Sequence, residues 1–105
     1  MGGQRVLVIE DQEDLAALYE KALGDEGFNV VKAYTGEEGV ALFEDQGADA
    51  VMLDMTLPEM NGIQALQAIR SRNANVPVVV VTGETDEATR HTSERLGVQE
   101  YLAKP

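Results

Sequence analysis

Three short apolar runs each stop at polar residues able to do chemistry, and this constrains the fold more than any other feature. Val6-Leu7-Val8-Ile9 ends at Glu10-Asp11, Ala50-Val51-Met52-Leu53 ends at Asp54, and Val78 to Val81 ends at Thr82-Gly83. None alternates apolar with polar, as a strand with one wet face does. Such continuous, largely β-branched runs are strands buried on both faces, under helices. Two weaker strands complete the set. Phe28 to Ala33 is less apolar and belongs at an edge, and Glu100-Tyr101-Leu102 leads into Lys104-Pro105.

Helical spacing fills the intervals. Leu15, Leu18, Tyr19 and Ala22 fall at i, i+3, i+4 and i+7, with Gly24 just past the expected end. Thr35-Gly36-Glu37-Glu38 forms a capping box that opens a helix carrying Val40, Ala41 and Phe43 and stopping near Gly47. Beyond the break at Pro58, Asn61 caps a helix with Ile63, Leu66 and Ile69 on one face. Asp86 caps a fourth, in which Ala88 and Leu96 are nearly the only apolar anchors. Thr89, His91, Thr92 and Arg95 stand where core residues are wanted, so this helix is expected to dock weakly and to move. Strands alternating with helices over short connections predict a doubly wound α/β fold with a five-stranded parallel sheet. The expected order is flavodoxin-like, 2-1-3-4-5. A chain of 105 residues makes one domain, 1–105, with no room for a second core.

Eight basic against nineteen acidic residues give a net charge of −11, which disfavours nucleic acid and anionic membranes as direct partners and favours cations. The absence of cysteine excludes disulfides, thiolate chemistry and cysteine-ligated zinc. No apolar run approaches the roughly 20 residues of a membrane span, and no signal-peptide core opens the chain, so a soluble cytoplasmic protein is expected. In an open parallel sheet, ligands bind beyond the carboxyl ends of the strands, where the winding reverses. Glu10, Asp11, Asp54, Thr82 and Lys104 all fall at that edge. Each alone is an ordinary cap, turn or surface residue; their joint placement is the signal. Three carboxylates in one small pocket repel unless a cation joins them, and oxygen-only ligands select a hard ion, Mg²⁺ foremost. His91, the sole histidine, lies in the polar fourth helix away from this edge and is read as a solvent-exposed bystander.

These motifs, in register from residue 5 to residue 105, resemble the receiver domain of bacterial-type two-component response regulators. Glu10-Asp11 is similar to the family's acidic pair, and Asp54-Met55-Thr56-Leu57-Pro58-Glu59-Met60-Asn61-Gly62 to its phosphoacceptor segment. Val80-Val81-Thr82-Gly83 resembles the switch Thr with a small residue after it, and Tyr101-Leu102-Ala103-Lys104-Pro105 the aromatic switch residue with its Lys-Pro. The resemblance implies that Asp54 is the nucleophile and becomes an aspartyl phosphate. It implies Mg²⁺ held by Glu10, Asp11, Asp54 and the backbone carbonyl of Thr56, with Lys104 and Thr82 on phosphoryl oxygens. Gly83 would leave room for that group, while Thr82 and Tyr101 move together as a switch. The implied donor is a sensor histidine kinase or phosphotransfer protein, and the implied role is a signalling domain that catalyses only its own phosphorylation and dephosphorylation.

Receivers usually continue into a fifth helix that packs beside the first. Here the sequence stops at Pro105, so a domain truncated after strand five is expected, with part of one sheet face uncovered. That face is expected to drive self-association, giving a homodimer. An alternative reading is an engineered or truncated receiver-fold scaffold that self-associates without signalling. A haloacid-dehalogenase-type phosphatase wants a second Asp two residues after the nucleophile, where Thr56 stands. A flavodoxin wants a Ser/Thr-rich phosphate loop, where Glu10-Asp11-Gln12-Glu13 would repel phosphate.

Overall fold

Every run read as a strand is one, and the helices lie between them. The elements are β1 (Arg5–Ile9), α1 (Glu13–Asp25), β2 (Asn29–Ala33), α2 (Gly36–Gln46), β3 (Ala50–Leu53), α3 (Gly62–Arg72), β4 (Val78–Thr82), α4 (Glu87–Arg95) and β5 (Glu100–Ala103). The computed structural model describes residues 3–55, 57, 60–83 and 87–103. The expected break at Pro58 and cap at Asp86 lie outside them. All four strand pairings are parallel and the order is β2-β1-β3-β4-β5, as the sequence predicts. Four helices are present among the described residues and a fifth is not among them.

The pleat divides each central strand between two helical layers. Leu7 and Ile9, Val51 and Leu53, and Val78 and Val80 face a core shared with Phe43 of α2 and Ala65, Leu66 and Ile69 of α3. Val6 and Val8 point the other way, where α1 crosses β1 and β2 and buries Ala16. On this second face cover thins across the sheet. Val8 is fully buried, Met52 and Val79 are half-buried, and Leu102 of β5 is 45% exposed.

The helix ends follow local chemistry. Asn61 accepts from the Gln64 N–H while the Gln64 side chain accepts from the Asn61 N–H, a complete capping box. At α2 only half of the expected box forms. Thr35 Oγ1 accepts from Glu38 N–H, but the Glu38 carboxylate reaches one residue further back, to the Tyr34 N–H at 2.7 Å. Two expectations need correction in α1. The helix runs through Gly24 and stops at Gly27, whose φ of +96° lets Phe28 N–H reach Leu23 O and Gly27 N–H reach Gly24 O, a Schellman motif. Its inward stripe is Leu15, Ala16, Tyr19 and Leu23, of which Ala16 is buried and the others half-buried, because the helix sits over β1 and β2. That leaves Ala22 exposed and Leu18 63% exposed on a flank that no described element covers.

Candidate functional site

The strand register builds the site. Ile9 pairs with Leu53, so Glu10 and Asp54 leave adjacent strands at one level. Backbone bonds from Glu10 N–H to Ala33 O at 2.9 Å and from Asp54 N–H to Ile9 O at 3.0 Å extend the ladder one step and fix both Cα positions. Both carboxylates are buried, Glu10 at 1% exposure and Asp54 at 2%, and Asp11 beside them faces solvent. One carboxylate oxygen from each of the three lies within 4.8 Å of the others. The N–H of Gln12 donates to Glu10 Oε2 at 3.1 Å and orients that side chain.

Thr82 closes β4 and is fully buried, and it pairs in register with Ala103 of β5. Among the described residues nothing lies within 4 Å of where a Cβ on Gly83 would stand. Tyr101 is half-buried against the core, with the Arg90 guanidinium of α4 5.7 Å from its ring centroid. His91 is exposed on α4, as expected. Thr56, Lys104 and Pro105, which complete the expected constellation, lie outside the described residues.

Two ionised carboxylates at this range, in surroundings of effective dielectric about 20, would repel by about 3 kcal/mol without a cation beside them. A buried pair held that close by the backbone suits a neighbouring positive charge. The donor set near Glu10, Asp11 and Asp54 is all oxygen, which fits a hard divalent ion such as Mg²⁺ and does not suit zinc or copper.

Three further residues shape this edge: Gly62 and Met55, which the sequence places in the segment after Asp54 without a structural role, and Ser93, which sequence reasoning missed. Gly62, first in α3, presses on the turn after Asp54: its N–H donates to Met55 O at 3.0 Å, and a Cβ there would lie 2.8 Å from Asp54 O. Met55 is buried, and its Sδ lies 3.9 Å from Ser93 Oγ of α4. Ser93 is the one buried residue among those described in α4, whereas Ala88, expected as an anchor, is exposed. The helix turns a small hydroxyl inward because its oxygen bonds back to Thr89 O at 2.8 Å and so enters the core satisfied. Only the glycine's spacing from Asp54 signalled any of this.

Comparison with known proteins agrees with the geometry. The response regulator receiver domain matches over residues 6–105. The cell cycle transcriptional regulator CtrA of Caulobacter vibrioides is 38% identical over 101 residues, which is 96% of this chain and 44% of CtrA. The transcriptional regulatory protein CpxR of Escherichia coli is 36% identical over 96% of this chain and 43% of its own length. The chain thus spans less than half the length of these curated relatives. Among solved structures, a CheY-like receiver domain protein from Methanospirillum hungatei superposes with a TM-score of 0.94 at 26% identity, covering 97% of this chain and 82% of that one. CheY in the CheX–CheY–BeF₃–Mg²⁺ complex of Borrelia burgdorferi gives a TM-score of 0.92 at 27% identity, covering 99% and 80%. No described helix is long and apolar enough to cross a membrane. By sequence and fold, this chain belongs to the receiver domains of two-component response regulators.

Proposed function

We propose that the chain, as a single receiver unit over 1–105, accepts a phosphoryl group on Asp54 from a sensor histidine kinase or phosphotransfer protein in the cytoplasm. The observation that carries this reading is the gathering of Glu10, Asp11 and Asp54 within 4.8 Å, two of them buried, at the carboxyl edge of the sheet. An Asp54 carboxylate oxygen attacks phosphorus in line as the donor's P–N bond breaks; the freed imidazole nitrogen takes a proton, and Asp54 carries an acyl phosphate. Glu10, Asp11, Asp54 and the carbonyl of Thr56 would hold Mg²⁺, which when bound supplies positive charge against the transferring group. Lys104 and Thr82 would pair with phosphoryl oxygens, and Gly83 would leave them space. Thr82 then turns toward the phosphoryl group, and Tyr101 follows it inward, carrying a local charge to the surface of α4 and β5. In this role the protein catalyses only its own phosphorylation and dephosphorylation.

The test is incubation with acetyl phosphate, with and without Mg²⁺, followed by intact mass. One added phosphoryl group is expected, lost in Asp54→Asn and lost without the metal. Labelling that persists in Asp54→Asn would place the acceptor elsewhere and end this reading.

A second reading, self-association through the thinly covered sheet face, is favoured by Leu18 and Leu102, the two large hydrophobic residues left exposed among those described. Light scattering should give a dimer mass in the micromolar range that Leu102→Lys returns to monomer; a monomer throughout would refute it.

A further inference from the structure

The entry into α3 joins two local demands with a chemical consequence. The close approach of the helix to the turn after Asp54 requires a glycine at 62, since a Cβ there would lie 2.4 Å from Met55 Cα and 2.8 Å from Asp54 O. The capping box is supplied by the residue just before it, Asn61. Together they make the only Asn-Gly pair in the chain; Asn29, Asn73 and Asn75 precede Val30, Ala74 and Val76. An asparagine followed by glycine is especially prone to lose its amide. A backbone nitrogen with no Cβ beside it turns easily onto the preceding side-chain carbonyl.

In the folded chain that attack is blocked. Gly62 N–H donates to Met55 O at 3.0 Å and Asn61 O accepts from Ala65 N–H at 3.1 Å, so the peptide unit between the two residues is pinned at both ends. Asn61 Oδ1 accepts from Gln64 N–H at 2.9 Å, and Asn61 N–H donates to Gln64 Oε1 at 3.2 Å, which fixes the side chain as well. Ring closure needs the Gly62 nitrogen to leave Met55 O and meet Asn61 Cγ, so the cap must open first. Asn61 is exposed, and water reaches it when that happens.

We propose that Asn61-Gly62 is a site of spontaneous amide loss that the cap of α3 keeps closed, and that opening the cap lets the link be rebuilt as isoaspartate, which distorts the turn carrying Asp54. The Gly62 nitrogen bonds to Asn61 Cγ, the Cγ–Nδ2 bond breaks, and ammonia leaves with the proton that the Gly62 nitrogen gives up. Water then opens the cyclic imide at either carbonyl. One opening gives aspartate, as good a cap as asparagine. The other gives isoaspartate, whose extra methylene enters the main chain where α3 meets Met55 and Asp54 with no space to spare. The effect on phosphoryl uptake rests on the phosphoacceptor reading above; the amide loss does not.

The test is peptide mapping of the full chain after incubation at mildly alkaline pH, folded and in urea, with isoaspartyl methyltransferase as the probe for the rearranged link. In urea Asn61 should convert ahead of Asn29, Asn73 and Asn75, and in the folded chain about tenfold or more slower than in urea. Gln64→Ala removes half of the box and should raise the folded rate about threefold or more while leaving the rate in urea alone. Gln64→Glu keeps the acceptor and should stay within about twofold of wild type. Equal rates folded and in urea, no conversion at Asn61 in urea, or a folded rate unmoved by Gln64→Ala would each overturn the proposal. Once urea is removed, the separated isoaspartyl form should take label from acetyl phosphate and Mg²⁺ about tenfold or more slower than wild type, and Asn61→Asp at the wild-type rate. An isoaspartyl form that labels and melts like wild type would overturn the effect on the turn. A wild type that takes no label overturns the phosphoacceptor reading instead, and the mapping and the Tm of the isoaspartyl form then decide the proposal.

Discussion

Gly62→Ala tests how tightly α3 is pressed on the turn that carries Asp54. The added Cβ would fall 2.4 Å from Met55 Cα, 2.6 Å from Met55 Sδ and 2.8 Å from Asp54 O. Two of these are backbone atoms that no rotamer can move, so the turn and the helix must part by about 1 Å. Overpacking of this kind costs about 1–3 kcal/mol. The helix-propensity gain of Ala over Gly, at most about 1 kcal/mol, is small in a first turn. A net loss of about 1–2 kcal/mol lowers Tm by roughly 5–15 °C in a chain of this size. The turn that moves carries Asp54, and a misplacement of about 1 Å can cost about 100-fold in rate. Phosphoryl uptake from acetyl phosphate should therefore slow by about 10- to 100-fold. The control is Gly24→Ala in α1, where nothing lies within 4 Å of the new Cβ and the helix continues past it. It should stabilise by about 0.4–1 kcal/mol and leave uptake unchanged. Thermal melts by circular dichroism and a time course of intact mass read both. A Gly62→Ala protein that melts within about 2 °C of wild type and labels at its rate would refute the close-packing argument.

Other perturbations separate the remaining contributions. Asn61→Ala removes the complete capping box of α3 and should cost about 0.5–2 kcal/mol by urea denaturation; no change would mean that the cap is redundant. Lys32 is held above its ordinary value of 10.5, chiefly by its hydrogen bond to Glu20, with Nζ 2.9 Å from Glu20 Oε1. A raised folded-state value means that the pair stabilises fully below 10.5 and that its contribution fades as pH rises through the folded value. The stability gap between wild type and Lys32→Met should accordingly narrow as pH rises through that alkaline range, and a gap that stays constant there would contradict it. Mg²⁺ at about 100 times its dissociation constant should stabilise the wild type by about 2.7 kcal/mol through mass action. Glu10→Gln should lose most of that effect while melting no lower than wild type in EDTA, because it relieves repulsion at the site.

Strand positions and sheet order were legible in the sequence because uninterrupted apolar runs leave little choice of layer, and short links leave little choice of handedness. The site followed from that order, since Glu10 and Asp54 must meet once β1 and β3 are neighbours. Helix faces were harder to read. Leu18 fits the periodicity of α1 as well as Leu15 does, yet which flank is buried depends on what else covers the sheet, and periodicity carries no such information. The inward Ser93 was illegible for a related reason: a hydroxyl can enter a core once its own helix satisfies it, and composition counts it as polar. Gly62 was legible only by its spacing from Asp54, because the backbone approach that demands a glycine there forms between two elements.

Reductive trapping tests the central claim most directly. Borohydride converts an aspartyl phosphate to homoserine, so treatment after acetyl phosphate and Mg²⁺, followed by peptide mapping, marks the acceptor itself. Homoserine at position 54 alone is the predicted result. Homoserine at Glu10's neighbour Asp11 or at any other aspartate, with position 54 intact, would contradict it.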